Sequence, residues 1–223
     1  MIMLTKRTLK IGTYDTAAHG WTLTAGWKLS DPEQKTNYVE KTGGDGSWDL
    51  STALTDGIPR YKDRSLTATL ELSEGTRAAR EAVISEMVNQ HDGMERELTL
   101  PDHPEHYLTG RVHIAVGYND LAHAAVTITA TCRPWLYKKQ ETILTVSAGA
   151  TEQTAVLTNS GRRTVVPQIT TTGDVLIKYG TASISLGPGT YEWPELLLTP
   201  GDHPVTFTGE GKITFTYREA VLR

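Results

Sequence analysis

The chain is expected to be mainly β. An N-terminal β-sandwich-like domain would carry one α-helix and a β-hairpin, and a C-terminal β-sandwich of the galectin-like or jelly-roll kind would follow. Three observations predict this. Apolar and polar residues alternate with period two along much of the chain. Helical periodicity is confined to one segment. The second half is cut into short runs by Gly and Pro.

The first informative stretch is GGDGSWDLSTALTDGIPRYKDRSLTATLEL, Gly43 to Leu72, a glycine-rich turn and a Pro-containing bend leading into a strand. In RSLTATLEL the residues Leu66, Ala68, Leu70 and Leu72 share one face, with Thr67, Thr69 and Glu71 on the other. The next segment changes period. Ala79, Val83, Ile84, Met87 and Val88 form a helical stripe, Ser73 or Thr76 can cap its start, and Asp92-Gly93 can end it. The spacing predicts one helix over residues 76–90, with Arg77, Arg80, Glu81 and Glu86 on its polar face.

MERELTL, the turn PDHPEH and YLTGRVHIAVGY then read as a hairpin. AVTITATC alternates again, with Val126, Ile128, Ala130 and Cys132 on one face, and ends at RPWLY, where Pro134 stops sheet pairing. A charged, polar stretch follows. The domain boundary is placed there, giving residues 1–138 and 139–223. In the second domain ILTVSAG, EQTAVLTN, VVPQITTTG, DVLIKYG, ASISLGPG, PELLLTPG, HPVTFTGEG and KITFTYREAVL read as short strands, with Gly209 to Gly211 as a tight hairpin turn.

Bulk composition narrows the function. A length of 223 residues is comfortable for two ordinary domains, and 38% hydrophobic with 22% charged residues suits a folded chain. A net charge of -4 argues against a general nucleic-acid binder, which needs a basic surface to release counterions. The one cysteine, Cys132, permits no intrachain disulfide and suits assembly in a reducing cytoplasm. No segment is apolar enough to span a bilayer, so no membrane insertion is expected. The opening MIMLTKRTLKIG is broken by Lys6 and Arg7 and lacks the apolar stretch of a signal peptide.

Residues with chemical potential are few. His103 and His106, with Asp102, Glu105 and His113 nearby, fall in a hairpin tip with a proline between them, so solvated loop histidines are expected and no metal. Cys132 lies on an apolar strand face and is expected to be a buried small hydrophobe. No nucleophile elbow, zinc-protease, P-loop or dinucleotide motif is present, and the glycine clusters lack the strand-to-helix context that cradles phosphate. Carboxylate pairs such as Asp45 with Asp49 or Glu192 with Glu195 have no sequence evidence of a shared cleft. No enzymatic activity and no cofactor are expected. Tyr179, Tyr191 and Trp193 could stack on sugar or anchor a partner, with core or rim packing as the default for Trp193.

The order of these parts resembles the distal tail (Dit) proteins of bacteriophages and prophages with long non-contractile tails. DGSWDLSTALTDGIPRYKDRSLTATLEL is similar to the family's glycine-rich turn followed by a Tyr-x-x-Arg entry into a long strand. VTITATCRPWLY resembles its last N-domain strand with a Pro-aromatic exit. The course from TNSGRRTVVPQI through GTYEWPELLLTPG to the Gly-x-Gly turn resembles its C-terminal domain. Trp48 is bulkier than the resemblance implies in the first of these turns.

The resemblance implies a structural component of the virion tail tip, assembled in the host cytoplasm. It would form a homohexameric ring that joins the tail tube protein to the tail-tip or hub protein, with the tape-measure protein as a further partner and a channel through which DNA only passes. It also implies a heterologous contact between copies. Gly43 to Arg64 is the candidate arm for that contact, with Trp48, Tyr61 and Arg64 as interface residues. The channel wall would be acidic or neutral, since cations would hold phosphate. No room is left for an inserted carbohydrate-binding module. The alternatives are a non-catalytic carbohydrate-binding protein, a cell-wall hydrolase, and another structural protein of the tail-tube lineage.

Overall fold

The structure, a computed structural model, describes residues 8–24, 27–55 and 57–223. The start of the N-terminal segment, and Asp56 in the turn-rich stretch, lie outside the described residues. The chain divides into two compact units, Met1–Pro134 and Trp135–Arg223, four residues before the expected boundary.

The first unit contains β1 (Lys10–Ile11), β2 (Tyr14–Asp15), a 3-10 turn (Thr16–His19), β3 (Thr22–Leu23), β4 (Lys28–Leu29), β5 (Tyr38–Glu40), β6 (Ser47–Asp49), β7 (Arg64–Leu72), α1 (Arg77–His91), β8 (Glu95–Thr99), β9 (His106–Asn119) and β10 (Ala124–Cys132). Its main sheet is antiparallel and curled, in the order β2-β1-β8-β9-β10-β7-β3, with β4 also on β7. All nine residues of β10 pair with all nine of β7, and β8 with β9 forms the expected hairpin. Alternation sets the core: Leu66, Ala68, Leu70, Val112, Val126, Ile128 and Cys132 are buried. The opposite side of the β7–β10 pair carries Ser65, Thr67 and Thr69 against Thr131, Thr129 and Thr127.

Helix α1 packs on β9 through Ile84 and Met87, with His91 buried at its end. Thr76 caps it, its Oγ1 accepting from the Ala79 amide at 3.2 Å. The expected polar face needs one correction. Arg80 is only 2% exposed, whereas Ala79 is exposed. The guanidinium donates to the carbonyls of Gly75 and Asp120, each at 2.7 Å, and through Nε to Asn119 Oδ1 at 3.4 Å. It thereby ties the helix start to the β9–β10 turn. Backbone acceptors from elsewhere in the fold outweigh the preference of an arginine for water.

The second unit contains β11 (Leu136–Lys138), β12 (Thr142–Ser147), β13 (Gln153–Asn159), β14 (Gln168–Thr171), β15 (Val175–Tyr179), β16 (Ala182–Leu186), β17 (Gly189–Glu192), β18 (Gly201–Gly209), β19 (Lys212–Tyr217) and β20 (Ala220–Val221). Two four-stranded antiparallel sheets form, ordered β12-β19-β14-β17 and β13-β18-β15-β16. This is jelly-roll topology. Leu157, Ile177, Val205 and Phe207 of one sheet meet Ile169, Ile213, Phe215 and Tyr217 of the other, with Trp193, Leu196 and Leu198 in the same core.

Two expectations in this unit are overturned. Gly209 to Gly211 is a corner and no hairpin turn, because β18 and β19 belong to different sheets. It lies against a second corner at 172–174, with the Glu210 amide donating to Asp174 O at 2.9 Å and the Thr172 amide to Lys212 O at 3.0 Å. Backbone packs on backbone there: a Cβ on Gly209 would stand 2.2 Å from Asp174 O, and one on Gly173 2.4 Å from Glu210 O. PELLLTPG is also no strand. The Leu196 amide turns back to Trp193 O at 3.0 Å, and only Leu198 bridges, to Val165. The run is apolar because Leu196 and Leu198 fill the core.

Candidate functional site

Hydrophobicity and hydrogen-bonding patterns single out one surface of the first unit. Between β4 and β7 the chain leaves the sheet and returns as a long hairpin. At its base the Lys35 amide donates to Arg60 O and the Lys62 amide to Glu33 O, both at 2.8 Å, and Gln34 bridges to Tyr61. Further out, Leu50 donates to Asn37 O at 2.8 Å, and β5 pairs with β6. At the tip, Gly43 and Gly46 both adopt φ of 76°. Asp49 Oδ1 accepts from the Ser51 amide at 2.9 Å. Hydrogen bonding to Ser51 lowers the carboxyl pKa of Asp49 below its ordinary value.

Among the described residues no layer covers either face of this arm. Tyr38 is 61% exposed, Trp48 60% and Leu54 98%, with Val39 and Leu50 also exposed. Val39 lies directly opposite Trp48, and Lys41 Nζ sits 4.9 Å from the Trp48 ring centroid. An isolated two-stranded hairpin is marginal in water, and a cluster of large exposed apolar groups marks an interaction surface.

The three expected interface residues separate here. Trp48 lies exposed on the arm. Tyr61 sits half-buried at its base. Arg64 is 4% exposed at the first residue of β7, its Nε donating to Ser30 O at 2.7 Å. Its guanidinium holds the arm's root inside its own subunit. Tyr38, Val39, Leu50 and Leu54 were missed in the sequence. The available signal was YVE and SWD flanking KTGGDG, two short runs around a glycine turn.

The second unit's aromatic residues are also distributed. Trp193 is 5% exposed and lies in the core. Tyr191 packs partly buried against that core. The Tyr179 hydroxyl bonds His203 Nδ1 at 2.7 Å, and His203 Nε2 lies 2.7 Å from Thr199 O. Nε2 must donate to that carbonyl, so in the neutral ring Nδ1 accepts from Tyr179. This pair braces the sandwich; the three rings do not form one stacking platform.

Chemically reactive arrangements are sparse. Among the described residues no three His, Cys, Asp or Glu side chains are grouped to hold a metal ion. His113 Nδ1 lies 3.0 Å from Asp92 Oδ1, on a well-exposed imidazole. Cys132 is fully buried, and desolvation pushes its thiol up to about 12. Among the described residues no helix is long and apolar enough to cross a membrane.

No family model and no curated protein matches the sequence. A solved structure does match: SPP1 Dit (gp 19.1), described as a paradigm of the hub adsorption apparatus in phages that infect Gram-positive bacteria. The TM-score is 0.66 at 16% identity, over 95% of this chain and 98% of that one. The chain therefore has the fold of that protein across both units.

Proposed function

We propose that this protein is a non-enzymatic structural component of a bacteriophage tail tip, with the role of a distal tail protein. Copies close into a hexameric ring that joins the tail tube to the tail-tip or hub protein and leaves a channel for DNA. The observation that carries this reading is the fold likeness to SPP1 Dit over nearly the whole of both chains. The exposed arm supports it independently, because a closed ring needs each copy to offer one surface and receive another. The tape-measure protein is a further partner in this reading. The protein works in the virion tail and assembles in the host cytoplasm.

The hydroxyl-rich side of β7 and β10 also carries exposed Lys28, opposite Thr67, and Arg111, opposite Thr131, so this side is not the cation-free wall that free passage of DNA would need. Carbohydrate binding is the second reading, and the burial of Trp193 weighs against it by removing an expected stacking ring. Light scattering behind a sizing column tests the proposal. A particle of six chain masses is expected at high concentration. A species that stays monomeric there and also when mixed with tube and hub proteins would overturn it.

A further inference from the structure

We propose that the second unit carries a binding site for one neutral pyranose ring of a glycan, on the outer face of the β13-β18-β15-β16 sheet. Such a site adds to the structural role proposed above and does not depend on ring formation. Leu176 of β15 is its floor, with Ser185 of β16 directly opposite on one side and Thr208 of β18 directly opposite on the other. Directly opposed residues share a face. Asp174, two positions before Leu176, stands on the same face, because the buried Val175 between them points inward. These residues line an open pocket of about 380 Å³, near the small end of the range for ligand sites and suited to a single ring. None of Tyr179, Tyr191 and Trp193 lines it.

A glycine opens the pocket. Gly187 follows the last residue of β16, and a Cβ there would meet Asp174 Oδ1 at 3.5 Å, an ordinary contact distance. A larger side chain at 187 would therefore grow into the space beside the carboxylate. Among the described residues, no hydrogen bond within the chain engages the Asp174 carboxylate or the hydroxyls of Ser185 and Thr208. All three groups are left for a ligand: the carboxylate accepts, and each hydroxyl both donates and accepts.

The setting selects the class of ligand. β15 is paired on both sides, so it offers no free backbone to an extended peptide. The lining carries one charge, which is negative, and the next outward residue of β15, Lys178, is paired with Glu152. Phosphate and carboxylate ligands are therefore repelled. A lone ammonium fits the charge but not the span. The backbones at Ser185 and Thr208 lie two strand spacings apart, about 9–10 Å. One ion bonds two acceptors no more than about 6 Å apart. A pyranose ring carries hydroxyls on opposite carbons and bridges the wider gap. Its C–H face then lies on Leu176, with a further hydroxyl donating to Asp174.

Saturation-transfer NMR on the full chain tests this. The neutral probes are methyl β-D-glucopyranoside, methyl β-D-galactopyranoside and N-acetylglucosamine; glucuronate and butylammonium are the charged ones. At least one neutral probe should show transfer at about 10 mM. Gly187→Val fills the pocket and should abolish that transfer. Asp174→Asn combined with Thr208→Val keeps the shape and should weaken binding about tenfold, since a charge-assisted hydrogen bond is lost. Unchanged melting of both variants excludes misfolding. No transfer to any neutral probe would overturn the site, as would transfer that persists unchanged in the variants. Glucuronate or butylammonium bound as strongly as the best neutral sugar would overturn it too. Any of these results leaves the ring reading as it stands.

Discussion

Gly110 of β9 faces Cys132 of β10 so closely that a Cβ on the glycine would stand 2.7 Å from Sγ and 2.8 Å from the Thr131 carbonyl. The sheet closes over the thiol because the facing residue has no side chain. Backbone cannot retreat as a flexible side chain can, so Gly110→Ala should overpack the site by about 1–3 kcal/mol. A lowered urea midpoint for the first unit, with secondary structure retained, checks this.

The same burial makes Cys132 chemically silent. Desolvation raises its pKa from 9.0 to about 12, partly offset by Arg64. The neutral thiol is therefore favoured in the fold. That contribution is fully present below pH 9.0 and is lost as pH rises toward about 12. Iodoacetamide at neutral pH should label Cys132 only after denaturation; rapid native labelling would contradict the buried placement.

His91 behaves in the opposite sense. Its Nδ1 accepts from Arg96 Nε at 3.3 Å, and its buried Nε2 has no hydrogen-bond partner. Desolvation first, then Arg96, lowers its pKa below 6.5, with His19 adding to the shift and Glu86 opposing it. The neutral ring belongs to the folded state, so its contribution is present above pH 6.5 and falls as pH drops through that value. Urea titrations at neutral and mildly acidic pH should show this loss, and His91→Gln should reduce it.

The paired corners of the jelly roll predict a second steric result. Gly209→Ala would drive a Cβ into the Asp174 carbonyl at a φ of 133°. Overpacking and backbone strain together should cost about 2–4 kcal/mol. Loss of the near-ultraviolet signal of the second unit at lower temperature would register it. Gly43→Ala has open space and positive φ only, so it should cost less, about 1 kcal/mol.

Substitution of two tryptophans tests folding and the proposed assembly separately. Trp193→Ala removes a core side chain and should cost about 3–5 kcal/mol. Trp48→Ala removes an exposed one and should change monomer stability by less than about 0.5 kcal/mol, while weakening ring formation. Calorimetry and sizing of both variants decide between these roles.

Much of this architecture is legible in the sequence because burial follows period. The apolar faces of β7, β10 and β19 are those the alternation of Leu66 to Leu72, Val126 to Cys132 and Ile213 to Tyr217 marks. Pairing partners are less legible. A Gly-x-Gly corner between sheets has the composition of a hairpin turn, and only contact with residues 172–174 distinguishes them. Arg80 was misplaced because its acceptors, Gly75 O and Asp120 O, come from turns on either side of the helix and the strands beyond. Leu196 and Leu198 resemble a strand, yet they fill the core from a turn. The arm was visible as a glycine turn, but its lack of cover is a tertiary fact.

The account depends on copies of this chain closing on one another, and rotational symmetry of negatively stained particles measures that most directly. Images of the protein at high concentration, alone and with tube and hub proteins, should average to closed six-fold rings with an open centre. Monomers under all of these conditions, or long polymerised tubes in place of discrete rings, would contradict it.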